Sequence, residues 1–293
     1  AIAVVGDFDS ELGASANALS WRCRFGSAAS GVVAATRLVA GVLRCVAPPS
    51  AATGAVELSL SSNGIDFEPL PGVQYTFCGA PTALVAAPLS GPSAGGTELA
   101  VAIAGDAVCA VASGLPLLCR FTSASADAYN TTVAARALNA SALACLTPVM
   151  VPGDFAVAIS TNGQQFYDAG VSFSFRPSMR VERIAPDSGA TAGGTVILVS
   201  AANVTIAVGA GVQCRFGAAT VVAASDIKSA AVTCTAPAWA AGPASVAVEL
   251  SSNGGADWTT DGVRFHYVVA PALASLAPLS VPLAGAAVVV MGA

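Results

Sequence analysis

The chain has 293 residues, a net charge of −5 and only 10% charged residues. Its twelve basic side chains form no cluster, so the sequence does not provide the positive surface that nucleic-acid phosphates require. The mean hydropathy of +0.71 raises the question of a membrane span, but the long charge-free stretches, 189–214 and 265–293, contain glycines, polar residues or prolines and align with strands and turns of an internal repeat.

Residues 1–80 contain a cysteine motif followed by a strand pattern. Cys23-Arg24-Phe25-Gly26 precedes a second motif, Cys45-Val46-Ala47-Pro48. Apolar and polar residues then alternate from Val56 to Leu60, which predicts a strand with one buried face. Asn63-Gly64 follows at once and predicts a tight hairpin, because both residues accept positive φ. The alternation resumes from Val73 to Phe77.

Residues 81–177 repeat these landmarks after a new beginning. Two apolar strands are predicted at 82–87 and 97–104, joined by a turn rich in Gly, Ser and Pro at 90–96. The repeated landmarks are Cys119-Arg120-Phe121, Cys145-Leu146-Thr147-Pro148, the strand Phe155 to Ile159, Asn162-Gly163 and the strand Val171 to Phe175.

Residues 178–269 contain the pattern once more. Initial strands are predicted at 181–185 and 195–200, on either side of a turn at 187–194. The landmarks are Cys214-Arg215-Phe216-Gly217, Cys234-Thr235-Ala236-Pro237, the strand Val246 to Leu250, Asn253-Gly254 and the strand Val263 to Tyr267. The repeat length is about 95 residues, which is the size of a small domain.

The repeat predicts four parts: a domain without its beginning at 1–80, complete domains at 81–177 and 178–269, and the start of a further domain at 270–293. We therefore expect the chain to be a segment of a longer polypeptide. Each complete domain has about seven short strands and no convincing helix, a pattern that predicts an all-β fold of tandem sandwiches.

Four motifs in combination resemble the IPT/TIG family of immunoglobulin-like domains, and the resemblance covers nearly the whole chain. They are Gly-Gly-Thr before a strand, Cys-Arg-Phe-Gly, Cys-x-x-Pro, and Ser-x-Asn-Gly-x-x-Phe with a later Phe-x-Tyr. The resemblance implies the Ig-like fold of plexins and related receptors. Thr122 replaces a motif glycine, and Ala284-Gly285-Ala286 replaces Gly-Gly-Thr; both departures concern edge geometry and not the fold.

Six of the eight cysteines recur as pairs, one pair in each domain. The pairs are Cys23 with Cys45, Cys119 with Cys145, and Cys214 with Cys234. Their separations are wide for a zinc site, and no histidine accompanies them. We predict disulfides, each stabilising its domain by roughly 3 kcal/mol in the chain-entropy model, in an oxidising extracellular setting. Free buried thiols in a cytosolic protein are the alternative.

Cys78 and Cys109 have no counterparts in the other domains. Cys78 ends the last strand of the first domain, and the loop with Cys109 should return towards the same boundary. We predict a disulfide that joins the two domains. Unpaired thiols or a different pairing within the second domain are alternatives, because spacing does not determine connectivity.

Three sequons for N-glycosylation agree with an extracellular setting. They begin at Asn130, Asn139 and Asn203. We expect these asparagines to lie at the surface and to carry N-glycans.

No catalytic residue, metal ligand or cofactor is predicted. His266 is the only histidine and should face solvent, because it alternates with Phe265 and Tyr267. An acidic loop at 7–11 has the carboxylates of a calcium site, but a solvated turn is the preferred interpretation. The Gly-Gly turns join strand to strand, which disfavours nucleotide binding at a helix N-terminus.

The sequence predicts a non-catalytic structural or adhesive segment of a large extracellular glycoprotein, built as a rod of disulfide-stabilised domains. Abundant Ala, a preference for Arg over Lys and tandem IPT/TIG units resemble the very large surface glycoproteins and mastigoneme-type proteins of green-algal cilia. This resemblance implies a ciliary or flagellar coat or filament. The expected partners are neighbouring copies or other surface glycoproteins and N-glycans, with membrane contact only through parts of the chain outside this sequence.

Two other functions fit the same motifs. The domains could be spacers of a plexin-like receptor ectodomain, which a membrane span and a signalling domain elsewhere in the full chain would favour. They could also be carbohydrate-binding modules of a secreted enzyme. Aromatic residues are only 6% of the chain and lie mostly on predicted buried faces, which disfavours the carbohydrate-binding alternative.

Overall fold

The computed structural model describes residues 2–5, 20–27, 31–39, 41–80, 84–104, 116–123, 129–204, 211–218, 220–228, 230–270, 272–280, 285 and 287–292. Within these ranges the regular elements are β-strands and there is no α-helix, so the predicted all-β fold is confirmed. A helix long and apolar enough to cross a membrane is likewise not found among them.

Six strands form the first group, unit 1, in a sheet with the order β1-β4-β3-β2-β5-β6. They are β1 Ile2–Val5, β2 Arg22–Phe25, β3 Val32–Val39, β4 Val42–Cys45, β5 Gly54–Ser61 and β6 Glu68–Phe77. All neighbouring pairs in this sheet are antiparallel.

Eight strands form unit 2 in the order β7-β9-β12-β11-β10-β13-β14-β8. They are β7 Leu84–Ala87, β8 Ser90–Pro92, β9 Glu98–Ile103, β10 Leu118–Ser123, β11 Asn130–Asn139, β12 Ala142–Leu146, β13 Gly153–Ser160 and β14 Tyr167–Arg176. The first half of β11 pairs with β10 and the second half with β12, so one long strand connects the two halves of the sandwich.

Unit 3 has two separate sheets, β15-β17-β21-β20 and β16-β23-β22-β18-β19. Its strands are β15 Arg180–Ala185, β16 Ser188–Ala190, β17 Val196–Ala202, β18 Gln213–Phe216, β19 Thr220–Ala223, β20 Asp226–Lys228, β21 Ala231–Thr235, β22 Ala244–Ser251 and β23 Arg264–Val268. β24 Leu273–Ala277 and β25 Val289–Gly292 form an antiparallel pair after unit 3.

Each unit has its own hydrophobic core, because the alternating strands turn one face inward. Phenylalanines of the Cys-Arg-Phe motifs contact aromatic rings of the last strand at their edges, as Phe121 does with Phe173 and Phe175. A disulfide crosses each core, since its two cysteines lie on strands in opposite halves of the sandwich. The bonded pairs are Cys23–Cys45, Cys119–Cys145 and Cys214–Cys234, with Cα atoms 6.3, 6.3 and 6.4 Å apart.

The tight hairpin predicted at Asn-Gly is wrong. β5 ends at Ser61 and β6 begins at Glu68, so six residues connect them. The side-chain oxygen of Asn63 accepts hydrogen bonds from the backbone N–H groups of Ile65 and Asp66, and these bonds widen the turn into a loop. We call this connection the Asn-Gly loop; it comprises residues 62–67, 161–166 and 252–263 in units 1, 2 and 3.

The turns predicted at 90–96 and 187–194 each contain a short strand that the sequence did not indicate. β8 pairs in parallel with β14, and β16 pairs in parallel with β23. In both units the chain therefore crosses from one half of the sandwich to the other before it turns back through Gly-Gly-Thr. Gly95 and Gly193 have positive φ, and a Cβ at either would lie 2.5 to 2.6 Å from backbone atoms at the end of the second cysteine motif.

Candidate functional site at the junction of units 2 and 3

The arginine of each Cys-Arg-Phe motif supports the Asn-Gly loop of its own unit. The neighbouring cysteine and phenylalanine are buried, so the arginine lies on the outer face of the strand. There its guanidinium covers an aromatic ring of the loop, a cation–π contact that anchors the loop to the sheet. The pairs are Arg24–Phe67, Arg120–Phe166 and Arg215–Trp258, at 4.5, 4.0 and 4.4 Å from the ring centroid.

Unit 3 adds an ion pair to this contact. Arg215 lies opposite Glu249 in the β18–β22 register, and its Nη2 is 2.6 Å from Glu249 Oε2. The residues opposite the other two arginines are Ser59 and Ala158. The Nε atoms of Arg24 and Arg120 are buried without a hydrogen-bond partner among the described residues. Because Glu249 holds the guanidinium that covers Trp258, the ion pair gives the loop of unit 3 an additional support.

Side-chain hydrogen bonds order the Asn-Gly loop of unit 3 internally. Asn253 Oδ1 accepts from the Asp257 backbone N–H at 3.0 Å, and Asn253 Nδ2 donates to Asp257 Oδ2 at 2.7 Å. Ser251 Oγ accepts from the Gly255 N–H at 2.9 Å. The equivalent side-chain pairs in units 1 and 2 are Asn63–Asp66 and Asn162–Gln165.

The same two side chains of unit 3 also bond to unit 2. Asn253 Nδ2 donates to the Ser90 carbonyl at 3.0 Å, and Thr97 Oγ1 donates to Asp257 Oδ2 at 2.7 Å. Thr97 is fully buried and is the threonine of Gly-Gly-Thr. A Cβ at Gly91 would lie 2.1 Å from Thr97 Oγ1, so the absence of a side chain at Gly91 makes room for this hydroxyl.

A cleft of about 280 Å³ lies beside these bonds. Its lining comes from unit 2 at 90–92, 94 and 176, from the linker 177–179, and from unit 3 at 250, 252, 253 and 257–261. Asp261 accepts from the Val181 N–H at 2.6 Å and thereby holds β15 against the loop. Arg176 ends β14 at the cleft, and its Nε has no hydrogen-bond partner within the described part of the chain.

This arrangement joins units 2 and 3, and its groups are those of a structural contact. Its hydroxyl, amide and carboxylate groups bond mainly to each other. The described ranges contain no group of three or more His, Cys, Asp or Glu side chains that could hold a metal ion. Burial raises the pKa of the Tyr75 and Tyr267 phenols, but both tyrosines pack in domain cores and not in the cleft.

None of the predicted site residues that the structure describes lines the cleft, although Asn203 bonds to Ser178 of the linker. Asn130 and Asn139 are exposed at the two ends of β11, and Asn203 is exposed while its amide donates to the Ser178 carbonyl. His266 is exposed, as the strand alternation predicts.

Some of the predicted site residues fall outside the described ranges. Cys78 is disulfide-bonded, but Cys109 lies outside those ranges, so their pairing stays a prediction. The acidic loop at 7–11 and the sequon residue Thr205 also lie outside them.

Sequence reasoning missed the junction residues Ser90, Thr97, Asn253 and Asp257, although it found both motifs that contain them. It treated Asn-Gly and Gly-Gly-Thr as separate turns within domains. One signal could have indicated a further role: a side-chain acceptor follows each Asn after three or four residues, as Asp66, Gln165 and Asp257. Such an acceptor is not required by a tight Asn-Gly turn.

The IPT/TIG domain family matches residues 179–267. No curated protein matches the sequence. Among solved structures, the extracellular region of plexin A4 is similar at 14% identity and a TM-score of 0.38 over 89% of this chain and 27% of that chain. Chicken CNTN1 FN1–FN3 is similar at 13% identity and a TM-score of 0.35 over 85% of this chain and 90% of that chain.

The bacterial integrin-binding protein invasin is similar at 11% identity and a TM-score of 0.24, over 93% of this chain and 57% of that chain. This chain thus spans about a quarter of the plexin ectodomain and more than half of invasin. The family match over residues 179–267 and the observed sheets agree on one fold class for this chain, all-β and Ig-like.

Proposed function

We propose that this chain is a non-catalytic structural or adhesive segment of a large extracellular glycoprotein, in which Ig-like units joined end to end form a rod. The observation that carries the proposal is the bonded junction between units 2 and 3. Hydrogen bonds from Asn253 and Thr97 cross it, and both involve groups that are at least partly buried. A junction of this kind restricts bending between neighbouring domains.

The linker at this junction supports the same conclusion. β14 ends at Arg176 and β15 begins at Arg180, so only residues 177–179 separate the two units. A connection this short keeps the facing surfaces close, which raises their effective concentration for each other. A short linker together with specific side-chain bonds is expected to hold the two units in one orientation, as a rod requires.

The disulfides support an extracellular location, because such bonds persist in oxidising compartments. All six of their cysteines are buried at 0 to 1% exposure within the cores. Three exposed sequon asparagines would direct N-glycans outward from units 2 and 3. Neighbouring copies of the protein or other surface glycoproteins are the partners that such a coat or filament would use.

We place this rod in a cell-surface coat or filament, and specifically at the surface of a cilium or flagellum. The support is compositional: Ala is abundant, Arg is used eleven times and Lys once, and units that resemble the IPT/TIG family follow one another in series. A spacer segment of a plexin-like receptor ectodomain is the competing function. The two functions differ in where the protein is found and how densely it is packed.

Two measurements test the proposal. In small-angle X-ray scattering of residues 1–293, the pair-distance distribution should be that of an elongated particle, and replacing Asn253 and Asp257 with alanine should broaden it. Immuno-electron microscopy on intact cells should show dense labelling along a ciliary coat or filament. Sparse labelling of the cell-body membrane would favour the receptor, and labelling confined to the cytosol would refute the extracellular location.

A further inference from the structure

The surface of unit 2 that receives the Asn-Gly loop recurs on unit 3. We call it the docking surface; it consists of Ser90, Gly91 and Thr97 on unit 2 and of Ser188, Gly189 and Thr195 on unit 3. On unit 2 all three residues are buried. On unit 3 Ser188 is exposed and the other two are half-exposed. The second docking surface is therefore uncovered by the described part of the chain.

The two docking surfaces have the same local geometry. A Cβ at Gly189 would lie 2.2 Å from Thr195 Oγ1, compared with 2.1 Å for Gly91 and Thr97. The next neighbours are also equivalent, Phe265 at 2.8 Å and Phe173 at 3.0 Å. Unit 3 thus presents a threonine hydroxyl and a serine carbonyl in the arrangement that binds Asp257 and Asn253 on unit 2.

The Asn-Gly loop forms its internal bonds whether or not it is docked. In unit 1, where Asn63 and Asp66 are exposed, Asn63 Nδ2 donates to Asp66 Oδ2 at 2.7 Å. The distance between Asn253 and Asp257 in the docked loop of unit 3 is the same. A loop that is ordered before docking loses little conformational entropy when it binds. An Asn-Gly loop from any further unit would therefore be ready to bind.

A further unit begins immediately after unit 3 along the chain. β24 pairs with β25 as β15 pairs with β17, and each pair has a bulge near the start of its first strand. The pairing Ala277↔Val289 corresponds to Ala185↔Leu198. Residues 269–272 connect β23 to β24, a linker about as short as 177–179.

We propose that the docking surface of unit 3 binds the Asn-Gly loop of the unit that begins at Leu273. The asparagine of that loop donates a hydrogen bond to the Ser188 carbonyl. The acceptor side chain that follows this asparagine accepts a hydrogen bond from the Thr195 hydroxyl. The inference rests on the proposed function and deepens it, because every junction of the rod then uses one repeated contact. The partner contributes a carboxylate or amide oxygen that is held in place by an Asn-Gly loop.

The test compares two chains labelled with ¹³C at threonine methyl groups. One is residues 1–293, and the other is residues 1–277 followed by 186–269, which completes the further unit with a copy of unit 3. A soluble gadolinium chelate enhances the relaxation of exposed methyl groups. In the 293-residue chain the Thr97 methyl should be shielded, with little relaxation enhancement by the chelate. The Thr195 methyl should be relaxed, which here means that the chelate strongly enhances its relaxation. In the extended chain Thr195 should become as shielded as Thr97.

Control variants define the outcomes. Alanine at the added copies of Asn253 and Asp257 should expose Thr195 again while peptide mapping still shows the added disulfide. If Thr97 is shielded but Thr195 stays relaxed in the extended chain, only this inference is overturned. If Thr97 itself is relaxed, the junction of units 2 and 3 is absent and the proposed function fails. Shielding of Thr195 in the 293-residue chain that rises with protein concentration identifies a second copy as the occupant, which also overturns the inference.

Discussion

The hydrogen bond from Thr97 to Asp257 should couple units 2 and 3 energetically. It joins a fully buried hydroxyl to a carboxylate oxygen at 2.7 Å. Hydrogen bonds to charged groups contribute about 1.5–3 kcal/mol, and partial exposure of Asp257 places this bond at the lower end. D257A should also leave the Thr97 hydroxyl without its acceptor, at a cost of about 1–3 kcal/mol.

A double-mutant cycle of T97V and D257A isolates this contact. Each single substitution should lower the free energy of opening of the β9 segment, measured by native-state hydrogen exchange. The double variant should lose about 1–2 kcal/mol less than the sum of the two single variants, because the contact can be removed only once. Hydrogen exchange is preferable to a global unfolding curve, because a chain with several units does not unfold as a single two-state system.

Thr195→Val is the matched control for this cycle. Thr195 occupies the same position on unit 3, and among the described residues its hydroxyl bonds to no other unit. T195V combined with D257A should therefore be additive. Additivity of T97V with D257A to within about 0.3–0.5 kcal/mol would refute the conclusion that the bond couples the units.

Three further predictions concern single residues within the units. A158E should stabilise unit 2 by about 1 kcal/mol, because its carboxylate lies opposite Arg120 as Glu249 lies opposite Arg215; an equal thermal shift with A158Q would contradict an ionic cause. G189A should destabilise unit 3 by about 1–3 kcal/mol, since its Cβ would lie 2.2 Å from a threonine oxygen; G211A, with open space around it, is the control and should be neutral. Burial raises the pKa of the Tyr267 phenol above its ordinary value of 10.0. The protonated phenol therefore contributes to the free energy of unfolding below pH 10, and this contribution is lost as the pH rises through the folded pKa. Absorbance titration of the phenolate should show this shift, and titration of Tyr267 at its ordinary pKa in the folded protein would contradict it.

The strands and cores followed from short-range patterns that the sequence contains in full. Period-two alternation in Phe155 to Ile159 predicts which side chains face inward, and the structure buries Phe155, Val157 and Ile159. The repeat itself increased the reliability of this inference, since three copies of one pattern are harder to produce by chance than one. The recurrence of one cysteine pair in each unit likewise indicated which cysteines come together across each core.

The Asn-Gly loop shows where local rules fail. The dipeptide has the backbone preferences of a tight hairpin, but the Asn63 side chain bonds to two later backbone N–H groups and opens the turn. The aromatic residue at the end of the loop then lies over the arginine of a distant strand, as Phe67 does over Arg24. Competition between a local turn and a long-range contact cannot be read from one segment.

The sequence by itself determined the all-β class, the repeat and the strand faces, because each depends on residues that are neighbours along the chain. Only the tertiary structure decided that Thr97 and Asp257, 160 residues apart, share a hydrogen bond. It also decided that the same threonine position is buried on unit 2 and partly open on unit 3. Both facts depend on how one folded domain lies against the next, and no period or motif within a domain encodes that contact.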